Sequence, residues 1–361
     1  MTLDLVEKIV NAVLYEGYIL YPYRPSSTKN QQRFTFGRVY PQAFSEAQRG
    51  AEPFVMQTEC LVESNSIAEP TLSVSVRFLQ PLAREVGQLS EPLATWLPNN
   101  KVAFQVVPEM EVNGRLYQTW QEVTERVMGS PSLLLSELVK HSHQTPFSFS
   151  ASRTLQPIDN EDGTVVGVVA RRQATVAGRV EIAAALIADH LFKVTVRILN
   201  LTELEQTADA LGTEDKSVLM RTFASTHTIL TVQDGQFVSL MNPPATYATA
   251  VATCENEGTW PILVGDEAAA KRHTLLSSPI ILYDYPEIAP ESPGDLFDGT
   301  EIDEILTLRI MTMTDEEKWE MSHVDERARQ ILQRTESMTA DHLMRMHGTM
   351  RDMQPFDESE S

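Results

Sequence analysis

Between Asp284 and Glu304 the chain carries eight carboxylates and no Lys or Arg: Asp284, Glu287, Glu291, Asp295, Asp298, Glu301, Asp303 and Glu304. Side chains of this type and density have two chemical uses. Their oxygens are hard ligands for a divalent cation, and their charge attracts a cationic partner. Asp295, Asp298, Glu301 and Asp303 are the candidates for metal binding. Asp298-Gly299 has the turn of a calcium loop, but the alternate ligand positions before it hold Gly294 and Leu296, so the ligand order fails. Thr300, Glu301 and Asp303 also suit the opening of a helix, where carboxylates meet the positive dipole end.

Prolines weigh toward the partner. Pro286, Pro290 and Pro293 stiffen the stretch and exclude a helix interior or a central strand. Ile288, Leu296 and Phe297 supply apolar anchors. A stiff segment with anchors loses less entropy on binding than a flexible one. The preferred reading is therefore a contact face comprising Tyr283, Asp284, Tyr285, Glu287, Glu291, Asp295, Phe297, Asp298 and Glu301. Eight of the fourteen methionines lie between Met311 and Met353. Their flexible thioethers suit adaptable surfaces, which adds Met346 and Met350 to that face.

Other chemistries have weaker signatures. His141 and His143 would share one side of a strand but diverge at a helix end, and no Cys or third His is near them in sequence. Cys60 and Cys254 are the only cysteines, too few for a disulfide framework or a four-thiolate metal site. The chain contains no phosphate-binding glycine loop of the Gly-x-x-x-x-Gly-Lys or Gly-x-Gly-x-x-Gly kind, and no Gly-x-Ser-x-Gly elbow. Residues 18–40 interleave Tyr18, Tyr21, Tyr23, Phe34, Phe36 and Tyr40 with Arg24, Lys29, Arg33 and Arg38, a pattern that can stack on RNA. A formal net charge of −21 argues against that use and against an anionic membrane surface. The favoured reading is a non-catalytic protein with no cofactor. A metal-dependent, hydrolase-like enzyme built on residues 295–304 is the alternative.

The elements that must position these residues are mostly strands. At 42% hydrophobic, 361 residues can bury a sizeable core. "LSVSVRFLQ" (72–80) and "FKVTVRILN" (192–200) alternate β-branched with polar residues and echo one another, which admits two related portions. Leu3, Val6, Ile9, Val10, Val13 and Leu14 form one helical stripe ending at Gly17. "PSLLLSELVKH" (131–141) and "LTELEQTADALG" (201–212) read as helices, Thr314 to Glu317 as a capping box, and a last helix starts near Thr339. The expected class is α+β: sandwich-like antiparallel sheets, a leading helix and a helical C-terminal region. The expected portions are 1–150, 151–275 and 276–361. The N-terminus lacks the charged start and apolar run of a signal peptide, and no apolar run reaches membrane-spanning length, so a cytoplasmic protein without membrane insertion is expected.

One resemblance narrows the reading. "GTWPILVGD" (258–266), "LLSSPIILYDYPEIAPESPGDLFDGTEIDEILTLRI" (275–310) and "TDEEKWEMSHVDERARQILQRTE" (314–336) together resemble a bacterial protein family associated with gene clusters of uptake NiFe-hydrogenases. "ILYPYRPSSTKNQQRFTFG" (19–37) is a second island of likeness. The resemblance implies a neighbourhood: an accessory role in hydrogenase assembly or maturation, with a hydrogenase subunit or a maturation factor as partner. It brings no catalytic motif. Direct handling of nickel would call for Cys or His clusters, which the spacing does not offer.

Overall fold

The computed structural model describes residues 7, 9–11, 14, 37–64, 68–96, 102–204, 216–266, 271–286, 310–324, 329, 332–333 and 335–337. In chain order the first elements are α1 (Gln42–Ala47), β1 (Val55–Ser64) and β2 (Thr71–Leu93). Short strands follow: β3 (Gln105–Val107), β4 (Glu109–Val112) and β5 (Arg115–Gln118). Then come β6 (Trp120–Gly129), β7 (Leu133–Leu134), α2 (Leu135–Lys140), β8 (His143–Phe149) and β9 (Ser152–Asp159). The next are β10 (Val165–Gln173), β11 (Val176–Ala188), β12 (Leu191–Asn200), α3 (Lys216–Leu219) and β13 (Ala224–Gln233). The last are β14 (Gly235–Phe237), α4 (Ala248–Val251), β15 (Trp260–Leu263), β16 (Thr274–Ser278) and α5 (Asp315–Val324).

The strands build two antiparallel sheets. One has the order β14-β1-β12-β11-β8; the other runs β15-β16-β13-β2-β10-β9, with β7, β6 and β3 along the opposite side of β2. The two echoing segments are the spines of these sheets. Val74, Val76 and Phe78 of β2 and Val194, Val196 and Ile198 of β12 are buried in one shared cluster, as period-two alternation requires of strands packed face to face. Each run ends in a fully buried amide. Gln80 donates to the Ala174 carbonyl at 2.8 Å, and Asn200 donates to those of Val39 and Arg221 at 2.8 and 2.9 Å. Phe78 and Phe223 stack at 4.4 Å with Phe147 and Phe149 around them. Truncating such a ring to Ala costs about 3–5 kcal/mol. Strand pairing crosses residue 150 in both sheets, through β8 with β11 and β2 with β10.

Two surfaces are covered further. Glu7, Ile9, Val10, Asn11 and Leu14 are helical, and Ile9 and Val10 pack on Ile262, Val264 and Leu276 at the outer face of the larger sheet. Ile9, Val10 and Leu14 of the expected stripe are buried while Glu7 and Asn11 are exposed, as the spacing implies. The 4-residue strands β4 and β5 fold over the far half of β2, where Val86, Val112, Ile158 and Val169 make a smaller core.

The helical C-terminal region needs correction. After β16 the chain runs irregularly from Pro279 to Pro286, and the one bounded helix described beyond it is the ten-residue α5. Its start is the expected capping box: Thr314 N–H donates to Glu317 Oε2 at 2.7 Å, and Glu317 N–H to Thr314 Oγ1 at 3.3 Å. Its described side chains are mostly polar, with Asp315 exposed and Trp319 40% exposed. A helix so composed lies beside β5 rather than forming a layer of the fold. The helix expected at 131–141 is confined to Leu135–Lys140, with Leu135 and Leu138 buried. Of 201–212 only 201–204 are described, without helix; the helix expected from Thr339 lies outside the described residues.

Candidate functional site

Three predicted contact residues are described, and they differ in environment. Tyr283 is 79% exposed. Asp284 turns inward: its Oδ1 accepts the Leu263 N–H at 2.8 Å and its Oδ2 the Ser239 hydroxyl at 2.5 Å. Tyr285 packs against the main core and donates its N–H to the Leu263 carbonyl at 2.8 Å. Its φ of +54° lies in the left-handed region, a strained conformation that these bonds hold in place. The run 282–286 thus covers the free edge of β15, with Leu282 and Pro286 buried and Tyr283 projecting. Glu287, Glu291, Asp295, Phe297, Asp298, Glu301, Asp303, Met346 and Met350 lie outside the described residues.

A groove of about 280 Å³ has a lining that includes Arg38, Tyr40, Glu52, Met56, Trp260 and Pro279. Neither the groove nor Trp260 is singled out by local spacing. Gly37 fixes one corner. Its φ is +53°, and a Cβ there would stand 2.5 Å from Pro279 Cγ, so a side chain would displace the proline. Across the groove, Trp260 pairs with Ser278 in the β15–β16 ladder and is 44% exposed. Arg38 donates to the Tyr40 hydroxyl at 3.1 Å and lies over that ring at 5.9 Å. The basic, aromatic pattern of residues 18–40 is therefore paired within itself where it is described.

Behind the groove, hydroxyls tie the two sheets together. Thr58 Oγ1 and Thr259 Oγ1 lie 2.6 and 2.7 Å from Ser277 Oγ, all buried. On the outer face of β1, Glu59 accepts from Lys193 Nζ (3.0 Å), Thr195 Oγ1 (3.0 Å) and the Glu255 N–H (2.9 Å). Burial pushes this carboxyl upward, but the Glu255 N–H, Lys193 and Thr195 outweigh burial and hold it below the usual range. That web fastens residues 253–257 to the sheet. It is saturated with protein partners, so it offers no open ligand position.

The two histidines that were metal candidates differ in setting. His141 closes α2 and is exposed, whereas His143 opens β8 with Nε2 3.1 Å from Thr145 Oγ1. Among the described residues no group of three or more His, Cys, Asp or Glu is placed to hold a metal ion. Cys60 is buried and Cys254 partly so, both with free thiols, and burial raises both above the ordinary thiol range, Cys254 to about 11. No helix of the described residues is long and apolar enough to cross a membrane. Comparison with models of known families and with curated proteins returns no match.

Proposed function

We propose that the protein is a non-catalytic accessory protein that assists assembly or maturation of a NiFe-hydrogenase in the cytoplasm, by binding a hydrogenase subunit or another maturation factor. The observation that carries a binding role is the setting of Tyr283. It is 79% exposed, yet its neighbours on both sides are fixed, Leu282 by burial and Asp284 by two hydrogen bonds. A large amphipathic side chain projecting from fixed backbone contributes contact area at reduced entropic cost. Ile281 two residues before it is 69% exposed and Trp260 of β15 is 44% exposed, and the acidic, proline-bearing sequence from Glu287 follows directly. The hydrogenase connection rests on the resemblance of residues 258–336.

The test is recovery of partners from the native host with the tagged full chain expressed at native level. A hydrogenase subunit or maturation protein is expected with the wild-type chain and lost with Trp260→Ala/Tyr283→Ala. Recovery of neither, with normal hydrogen uptake in a deletion strain, sinks the proposal.

A further inference from the structure

Sheet edges carry unpaired N–H and C=O groups, and folds blunt them with short strands or proline. Among the described residues most edges follow that rule, and β6 is the longest that does not. β14, β3 and β7 are three, three and two residues long. β8, β9 and β15 contain Pro146, Pro157 and Pro261. β6 runs for ten residues without proline, and among the described residues its only strand partner is β2. Its carboxylates do not guard the edge, because they point to partners within the sheet. Glu125 pairs with Arg77. Glu122 sits between two guanidiniums, 2.7 Å from Arg171 and 3.3 Å from Arg84.

Arg126 is the unbalanced charge on this strand. Its Nε and Nη2 donate to the amide oxygens of Gln80 and Gln173, both at 2.9 Å, and its guanidinium lies 4.4 Å from the Phe149 ring centre. Among the described residues no carboxylate comes within ion-pair distance of it. Burial lowers its pKa without a carboxylate to offset the effect.

The sequence of β6, WQEVTERVMG, is self-complementary in charge. Laid antiparallel on a second copy with Thr124 opposite Thr124, it sets Glu122 opposite Arg126 twice. Trp120 then faces Met128, Gln121 faces Val127 and Val123 faces Glu125. Moving the centre to Glu122, Glu125 or Arg126 would oppose two like charges. Cross-strand pairs of opposite charge stabilise a ladder and like charges oppose it, so the Thr124 register is favoured over these. An isologous two-fold contact needs such self-complementarity.

We propose that β6 is a self-association edge, through which two copies of this chain join the larger sheet of each into one continuous antiparallel sheet centred on Thr124. This goes beyond the accessory role and does not depend on it. The test is sedimentation velocity of the full chain over micromolar concentrations, followed by site-directed cross-linking. A dimer is expected, and Arg126→Glu should raise its dissociation constant by roughly tenfold or more, since both cross-strand pairs become repulsive. In a Cys254→Ser background, Thr124→Cys should be joined to its counterpart by a short bismaleimide, while Val106→Cys on β3 should not. A chain monomeric throughout overturns the proposal, and so does a dimer that position 124 fails to cross-link. The cross-link keeps the test decisive should Arg126→Glu fold poorly.

Discussion

Asp284 and Ser239, 45 positions apart in sequence, meet at 2.5 Å, and the same carboxylate holds the Leu263 N–H at 2.8 Å. One acidic side chain thereby fixes the start of the acidic stretch to the sandwich. Hydrogen bonds to a charged acceptor are worth about 1.5–3 kcal/mol, and the orphaned Leu263 N–H adds a desolvation cost. Asp284→Ala should therefore lower unfolding free energy by about 2–4 kcal/mol, read as a shift of the urea midpoint at unchanged slope. Asp284→Asn, which keeps one acceptor oxygen, should lose less. An Ala variant of undiminished stability would return Asp284 to the surface role that its sequence context suggested.

The groove depends on Gly37 for a steric reason. With φ at +53° and the Pro279 ring 2.5 Å from where a Cβ would stand, Gly37→Ala meets strain and overlap together. A loss of about 1–3 kcal/mol is expected. Gly50 is the control, because its φ is +77° but nothing lies within 4 Å of its added Cβ. Gly50→Ala should cost only the left-handed term, about 1 kcal/mol. Equal losses at both sites would show that Pro279 yields freely.

Tyr283 should separate stability from binding. At 79% exposure it contributes little to the core. Tyr283→Ala should stay within about 0.5 kcal/mol of wild type in chemical denaturation, whereas Trp260→Ala, at 44% exposure, should also lose packing. Buried aromatic anchors at an interface cost about 2 kcal/mol or more when truncated. Binding to the recovered partner, measured by calorimetry, should therefore weaken about thirtyfold for Tyr283→Ala. Unchanged affinity in both variants would move the contact face elsewhere.

The legible parts of the fold were those with local causes. Alternation in 72–80 and 192–200, the stripe through Ile9, Val10 and Leu14, and the Thr314–Glu317 box each depend on neighbours a few residues apart. The length of β2 was not legible, because Pro81 within Thr71–Leu93 reads as a strand breaker. It is tolerated where β2 passes from β13 to β10 along one side. The Glu59 web was invisible for a different reason: Lys193 and Glu255 stand 134 and 196 positions from it. Carboxylate density likewise identified Asp284 as unusual but could not reveal that Ser239 and Leu263 claim it. Trp260 becomes a surface feature only through the β15–β16 register, a non-local property.

His227 supplies a prediction in pH. It lies on β13 opposite Arg77, fully buried, with Nδ1 2.8 Å from the Ser225 carbonyl. A carbonyl can only accept, so Nδ1 carries the proton of the neutral ring, and Nε2 has no partner. Burial pushes the imidazole from 6.5 down to about 4; the Ser225 carbonyl opposes this and the Arg77 charge reinforces it. Between those values the unfolded chain binds a proton that the folded chain refuses. The contribution is therefore complete above pH 6.5 and is lost as pH falls toward 4, about 3 kcal/mol in all. Glu59, held below its reference of 4.5, adds a loss of the same sign only at the acid end. Denaturation between pH 7 and 4.5 thus isolates the histidine. Wild type should lose stability through this range, whereas His227→Asn, less stable at pH 7, should show a flatter profile. Parallel slopes for the two chains would mean that His227 already takes up its proton in the folded protein.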